Sequence, residues 1–422
     1  MSAPETIAIV GAGLAGVTAA GTLRDAGFAG RIVLVGEEQA LPYDRPPLSK
    51  AVLVHDEFES LVASHLPGDI ALRAPANIGL RPDGWYEAQR IDMLLGQRVA
   101  ALAPAAHEIE LADGRRLRYD RLILAPGASV RRLPAMESGP LSHVYLRTLT
   151  DAIELRRRLR PRCRVVLLGG GVIGMEVASS AVLRDCDVTV VELAPRIMSR
   201  ALPPGVSDYL AAYHRDKGVK LRLAATSVKQ AVSGAPGLVL GDGEHLPADL
   251  LVIGIGVTPN VELAVAAGLA CEDGIVVDEF GATSAADVYA AGDAVRYPDS
   301  FLGRRVRSEN WMHAQNQAAA IARNALGAGE PYRQTPFMWS DQYDLKIQAT
   351  GRFDTDVHVT RGEMARHKYL VLHVDGGRVV GATGINEPRE LKYAQKLIEA
   401  RVVRETAQLA DPQYNLKTAA VA

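Results

Sequence analysis

An α/β fold that uses one strand–turn–helix–strand unit twice, followed by a C-terminal α+β domain, is predicted by three observations. Gly11-Ala12-Gly13-Leu14-Ala15-Gly16 and, 158 residues later, Gly169-Gly170-Gly171-Val172-Ile173-Gly174 both fit G-x-G-x-x-G. Each follows an apolar strand-like run, TIAIV or RVVLL, and opens a helix-like run. An acidic residue then follows each second strand: Glu37 after IVLV and Gly36, and Glu192 after VTVV.

The residue types carry the chemistry. The first glycine permits a tight turn after the strand, the second lets the backbone approach a pyrophosphate, and the third lets the helix pack close to the sheet. The pyrophosphate then lies over free N–H groups at a helix N-terminus, where the macrodipole favours negative charge. Glu37 and Glu192 stand about 20 residues on, where a carboxylate accepts bonds from ribose hydroxyls. One fingerprint is a weak signal. Two, each in its own strand–helix–strand setting, predict two Rossmann-like domains holding two dinucleotides, the arrangement that passes electrons from a nicotinamide to a flavin.

The elements follow in order. Residues 1–108 open with TIAIV, the phosphate turn, the helix LAGVTAAGTLRDAG and the strand RIVLVGEE, then the loop LPYDRPPLSK. Its three prolines forbid helix before Leu48 and predict an extended path. Residues 109–246 hold RLILAPGA and the second nucleotide unit, then strand-like runs joined by Gly/Asp turns. Residues 247–330 return to the first domain with LVIGIGVTPN, DVYAAGDAV and the helical MHAQNQAAAIARNAL. Residues 331–422 change character, with strands LKIQATG and YLVLHVDGGRVVGATGI and a final helix, EPRELKYAQKLIEA, and form the α+β domain.

Composition bounds the function. The 422 residues, 48% hydrophobic and 23% charged, suit two or three soluble domains. A formal net charge of −2 gives no electrostatic reason to expect nucleic acid or membrane binding. Residues 6–23 form an uncharged run of membrane-like length, but four glycines interrupt it and no basic region precedes it. The nucleotide unit explains it better, and the expected location is cytoplasmic. Three scattered cysteines, Cys163, Cys186 and Cys271, fit a reducing compartment with neither a disulfide framework nor metal-ligand spacing.

The segments YDRPPLSK, YLRTLTDA, GGGVIGMEVA, VELAPRIMSR, VIGIGVTPN, DVYAAGDA, NWMHAQNQ and FMWSDQ, in this order, resemble the NADH-dependent ferredoxin reductases of bacterial oxygenase systems, within the glutathione-reductase-like flavoproteins. The resemblance spans nearly the whole chain. It implies an FAD domain resumed after an inserted NAD domain, then a C-terminal interface domain. It implies that Gly11, Gly13 and Gly16 cradle the FAD pyrophosphate and that Glu37 binds its adenosine ribose. Arg45 and Lys50 lie against the flavin, Asp293 bonds the ribityl chain, and Trp311 lies beside the isoalloxazine. Gly169, Gly171 and Gly174 take the NADH pyrophosphate, Glu192 its ribose, and Glu176 sits near the nicotinamide carboxamide. A cationic Lys50 there would stabilise the anionic reduced ring.

This sequence departs from the family at two places. Ala125-Pro126-Gly127 replaces alanine-threonine-glycine, so one backbone N–H is missing. The family commonly pairs the flavin lysine with a glutamate in a YLRTLE-like segment. Thr150 stands there instead, leaving Asp151 as the candidate if the helix start shifts.

No cysteine precedes Cys163, which excludes the flavin-adjacent cysteine pair that disulfide reductases need and the single cysteine of related peroxidases. Electrons must leave otherwise, and the family implies one at a time to a [2Fe–2S] ferredoxin. Arg304-Arg305-Val306-Arg307, read as a loop, could steer an acidic partner or simply be solvated. His313, near Trp311, reads as structural or exposed, because hydride transfer to a flavin needs no base. Two other readings stay open: an NADH oxidoreductase with a quinone-like acceptor, and a flavin–nicotinamide signalling protein like apoptosis-inducing factor.

Overall fold

Strand Thr6–Val10 lies at the centre of a five-stranded parallel sheet. The order is Val288–Ala290, Arg121–Leu124, Thr6–Val10, Arg31–Val35, Ile91–Leu94. The structure, a computed structural model, describes residues 5–64, 77–231 and 235–419. Parallel strands covered on both faces read as unbroken apolar runs, and TIAIV does so because its faces alternate. Ile7 and Ile9 pack under helices Leu14–Asp25 and Trp311–Asn324. Ala8 and Val10 pack on the opposite side, with Ile109 and Leu111 of a three-stranded antiparallel sheet.

The second fingerprint repeats the plan. Its parallel sheet runs Lys220–Arg222, Asp187–Val191, Arg164–Leu168, Leu250–Ile253, His143–Tyr145. The likeness extends to single bonds. Gly11 N–H donates to Val35 O and Gly169 N–H to Val191 O, both at 2.8 Å. A third sheet, antiparallel, orders Phe337–Gln342, Leu345–Gly351, Arg378–Ile385, Lys368–Asp375, Val357–Glu363, and helix Pro388–Ala400 packs on it.

The chain forms two compact units. The described parts of the first lie within residues 1–44, 65–129 and 257–334, and those of the second within 45–64, 130–256 and 335–422. The boundary expected at 109 moves to about 130, because RLILAPGA supplies strand Arg121–Leu124 beside Thr6–Val10. The boundary expected at 247 moves to about 257, because Leu250–Ile253 still pairs with Arg164–Leu168. The C-terminal stretch begins at Thr335 rather than 331 and clusters with the second nucleotide unit.

Three local expectations are also corrected. LPYDRPPLSK is not extended throughout, since Pro46–Ser49 is a 3-10 turn. Prolines occupy its first positions, where the missing N–H would have had no helical partner. Arg304–Arg307 is a strand rather than a loop, paired with Val295–Asp299. Asp151 is not offered to a lysine: it accepts from the Arg147 and Thr148 N–H groups and completes a capping box at Thr148. No described helix is long and apolar enough to cross a membrane.

Candidate functional site

Both fingerprint helices begin uncapped. The N-caps are Gly13 and Gly171; neither has a side-chain cap, and neither first turn carries an acidic residue. Side chains cap two other helices, Thr148 on Leu149–Arg158 and Asn310 on Trp311–Asn324, whereas Pro204–Asp216 and Pro388–Ala400 also begin without one. The first-turn N–H groups of the two glycine helices are therefore left for another acceptor.

The glycines differ in what they touch. A Cβ on Gly11 would overlap the Ala125 carbonyl, and one on Gly16 the Gly11 carbonyl. Gly169 and Gly174 face Gly254 and Gly169 in the same way. These four positions serve chain packing. A Cβ on Gly13 or Gly171 would meet nothing within 4 Å. The middle glycine of each motif thus borders open space above the free N–H groups, which fits the pyrophosphate of FAD or NADH.

The two acidic residues are not equivalent. Glu192 directly follows strand Asp187–Val191, and its carboxylate accepts from Gly170 N–H at 2.6 Å and Ala194 N–H at 2.7 Å. In the first unit that position is Gly36; Glu37 lies one residue further and is exposed. The Glu192 carboxylate beside the nucleotide turn predicts a preference for NADH, since a 2′-phosphate would face it and Leu193-Ala194-Pro195 offer no positive charge. The kcat/KM for NADH should exceed that for NADPH by roughly tenfold or more, the size of one ~1.4 kcal/mol repulsion. Glu192→Gln should narrow the gap. Equal values in the unaltered protein would remove Glu192 from this role.

In the first unit, Asp293 sits half-buried in the turn after strand Val288–Ala290. Gly292, at φ +84°, makes that turn, and its N–H donates to Gln317 Oε1 at 2.8 Å. Gln317 lies on helix Trp311–Asn324, as does Trp311, whose indole N–H donates to Asp44 at 2.6 Å. His313 is buried and burial lowers its pKa to about 3, so it stays neutral at pH 7, in line with a structural role. The Ala-Pro-Gly departure is accommodated: Asn260 Nδ2 donates to Pro126 O at 2.9 Å, and Asn260 N–H to Gly127 O at 3.0 Å.

Lys50 and Glu176 meet in the second unit. Lys50 Nζ lies 2.8 Å from Glu176 Oε2, with the glutamate side chain 3% exposed. Glu176 also accepts from the Ser49 hydroxyl through Oε2 and from Ser340 Oγ at 2.7 Å through Oε1. A buried carboxylate is tolerable only when its oxygens are paired in this way. The lysine's carboxylate partner is therefore Glu176, on the fingerprint helix Val172–Leu183. Arg45, five residues earlier, donates to the Arg147 carbonyl.

Arg156, 1% exposed, secures the segment that carries Lys50. It donates to Val52 O at 2.9 Å, His55 O at 2.8 Å and Glu59 at 2.7 Å. Ser180 Oγ adds a bond to Ser49 O at 2.7 Å. Arg156, Ser49, Ser340 and Gln317 were not anticipated from the sequence. Arg156 carried a signal: it stands three and four residues beyond Ile153 and Ala152, on the buried stripe of its helix. The others carried none, because a serine or glutamine facing inward looks like any other.

Burial raises the pKa of all three thiols, that of Cys186 to about 12, so thiolate chemistry at neutral pH is disfavoured. Two of the three clustered arginines are engaged: Arg305 donates to Val277 O at 2.6 Å, and Arg307 lies 2.6 Å from Glu309 and 3.4 Å from Asp273.

Two dinucleotide-binding units with uncapped glycine helices, and no cysteine before Cys163, define a flavin- and nicotinamide-dependent oxidoreductase. The chain belongs to the pyridine nucleotide-disulphide oxidoreductase family, whose profile matches residues 5–318, and a Reductase C-terminal domain matches 337–420. It is 40% identical over 98% of its length, and 99% of the relative's, to the ferredoxin–NAD(+) reductase component of the anthranilate 1,2-dioxygenase system of Burkholderia cepacia. Among solved structures, the covalent putidaredoxin reductase–putidaredoxin complex matches with a TM-score of 0.88 at 36% identity, covering 99% of this chain and 98% of that one. The ferredoxin reductase for the CYP199A2 system of Rhodopseudomonas palustris matches with a TM-score of 0.89 at 35% identity, covering 99% and 100%. Among flavoproteins of this fold, the chain falls with the ferredoxin–NAD(+) reductases of oxygenase systems.

Proposed function

We propose that this protein takes a hydride from NADH onto FAD and passes single electrons to a [2Fe–2S] ferredoxin that feeds a Rieske dioxygenase or a cytochrome P450. The observation that carries the reading is the pair of uncapped glycine helices, one per unit, each with its middle glycine facing open space. When bound, FAD supplies the change from two-electron to one-electron transfer. Everything else falls to the chain. In the first unit, Gly13 and the N–H groups after it bind the FAD pyrophosphate, with Gly11 and Gly16 shaping the turn. Glu37 reads the adenosine ribose, Asp293 holds the ribityl chain on the turn fixed by Gln317, and Trp311 covers the ring. In the second unit, Gly171 and its neighbours bind the NADH pyrophosphate and Glu192 the ribose, with Gly169 and Gly174 shaping that turn. Glu176 orients the nicotinamide carboxamide and holds Lys50, the cation for charge arriving on the flavin; Arg45 flanks it.

The domain roles follow. The first unit is the FAD unit, and the second joins the NAD-binding sheet to the C-terminal interface sheet. The protein works in the cytoplasm, a reading supported by its three free thiols.

A stopped-flow experiment tests the function. NADH should bleach the flavin absorbance of the purified protein under anaerobic conditions. Mixing with an oxidised [2Fe–2S] ferredoxin should then restore it in single-electron steps. Reoxidation by a quinone, with several ferredoxins left oxidised, would overturn the assignment of the acceptor.

A further inference from the structure

Glu176 stands at the end of a hydrogen-bond chain that begins at Tyr343. The Tyr343 hydroxyl lies 3.4 Å from His214 Nδ1, and His214 Nε2 lies 2.8 Å from Gln342 Oε1. Gln342 Nε2 donates to Ser340 Oγ at 3.0 Å, and Ser340 Oγ donates to Glu176 Oε1. Lys50 follows on the other carboxylate oxygen. His214, Gln342, Ser340 and Glu176 are each 2% exposed or less. Ser340 of strand Phe337–Gln342 therefore reaches a glutamate of the fingerprint helix directly and Gln342 reaches it through Ser340, while Tyr343 N–H fixes the same helix through Ser179 Oγ at 2.8 Å.

The chain has a direction. Ser340 has one hydroxyl proton, and it reaches Glu176 while the Gln342 NH2 fills the acceptor side of the serine. Turned over, the Gln342 carbonyl would face Ser340 and compete for that proton. Two neighbours set the amide. Met198 Sδ, 3.4 Å from Nε2, is a weak acceptor that suits the NH2. His214 suits the carbonyl when its proton is on Nε2, and the Tyr343 hydroxyl facing Nδ1 favours that tautomer. Burial lowers the His214 pKa to about 4, which leaves the ring with a single proton at neutral pH.

We propose that Ser340, Gln342 and His214 are positioning residues for Glu176 and, through it, for Lys50: a one-way hydrogen-bond chain from the C-terminal sheet fixes the rotation of the Glu176 carboxylate and so the aim of the ammonium. The inference rests on the reading of Lys50 as the cation for the reduced flavin. It gives the C-terminal sheet a part in flavin chemistry as well as in partner contact.

The test uses the full-length holoprotein and two readouts: the flavin midpoint potential by anaerobic spectroelectrochemistry, and the rate of flavin reduction by NADH. Gln342→Met keeps the length of the side chain and removes both polar atoms. His214→Leu cuts the chain one step earlier, and His214→Gln returns an N–H near the Nε2 position. Gln342→Met and His214→Leu should lower the potential, as Lys50→Met does, and slow reduction about tenfold, a modest misplacement on the scale of reacting geometries. His214→Gln should restore most of both. Added to Lys50→Met, Gln342→Met should have no further effect, because coupled residues are not additive. Ser340→Ala carries the same test if Gln342→Met does not fold.

The proposal is overturned if Lys50→Met shifts the potential while the His214 and Gln342 variants leave it unchanged, or if the shifts add in full. If Lys50→Met leaves the potential unmoved, the reading of Lys50 fails instead. A crystal structure of Gln342→Met then decides the positioning: a displaced Lys50–Glu176 pair supports it, and a pair in its wild-type place overturns it.

Discussion

Gly13→Val is expected to yield a folded protein that purifies without flavin colour. Gly13 has φ −84° and ψ −168°, extended backbone open to any residue, so the substitution carries no strain. A Cβ at this position meets nothing within 4 Å, so the packed chain does not resist it either. What a valine would fill is the space over the free N–H groups, where the pyrophosphate must come within hydrogen-bond distance. Losing that approach should weaken FAD at least about a hundredfold, ~2.8 kcal/mol. Flavin absorbance after extensive dialysis, with circular dichroism as the check on folding, measures this. Full occupancy in a folded Gly13→Val protein would show that the pyrophosphate does not lie there. Gly16→Val would be uninformative, because its side chain would strike the Gly11 carbonyl and disturb the turn itself.

Lys50→Met is expected to leave FAD bound and to slow its reduction by NADH by about 10²–10³, the usual cost of removing one preorganised charge from a reacting centre. The methionine keeps most of the stem. Glu176 keeps its bonds from Ser49 and Ser340, so the buried carboxylate is not orphaned. The loss should appear in the limiting rate at saturating NADH rather than in KM, since a charge that matters only as electrons arrive contributes little to ground-state binding. A limiting rate within threefold of wild type, at full FAD content, would remove Lys50 from the chemistry.

The glycine motifs made the two nucleotide sheets legible, because a G-x-G-x-x-G turn between apolar runs leaves few other folds. The strand–turn–helix–strand order of each unit followed, and so did the place of Asp293 after a strand and Gly292. The domain edges did not. RLILAPGA could be read as the start of a new domain, because a strand pairing 114 residues back with Thr6–Val10 leaves no local mark. The partner of Lys50 was equally hidden. Lys50 and Glu176 are 126 residues apart, and the acid nearest the expected position, Asp151, is taken by its own helix cap. The one-residue offset between Glu37 and Glu192 stands in the sequence; its consequence, the Glu192 carboxylate bonded to Gly170 N–H and Ala194 N–H, shows only in the structure.

The interleaving of the two units bears on how the protein is made. The sheet around Thr6–Val10 is finished by Val288–Ala290, so on the ribosome its outer position beside Arg121–Leu124 stays open while residues 125–287, more than a third of the protein, are synthesised. The sheet around Arg164–Leu168 draws all its strands from His143–Tyr145 to Leu250–Ile253 and can close first. The usual N-terminal-first order is inverted. The nascent Thr6–Val10 sheet is left with an unpaired apolar edge, the kind of surface on which chains aggregate. Slow elongation past residue 256, or flavin added early in expression, should therefore bear on the yield of native protein more than any stabilising change in the Arg164–Leu168 sheet.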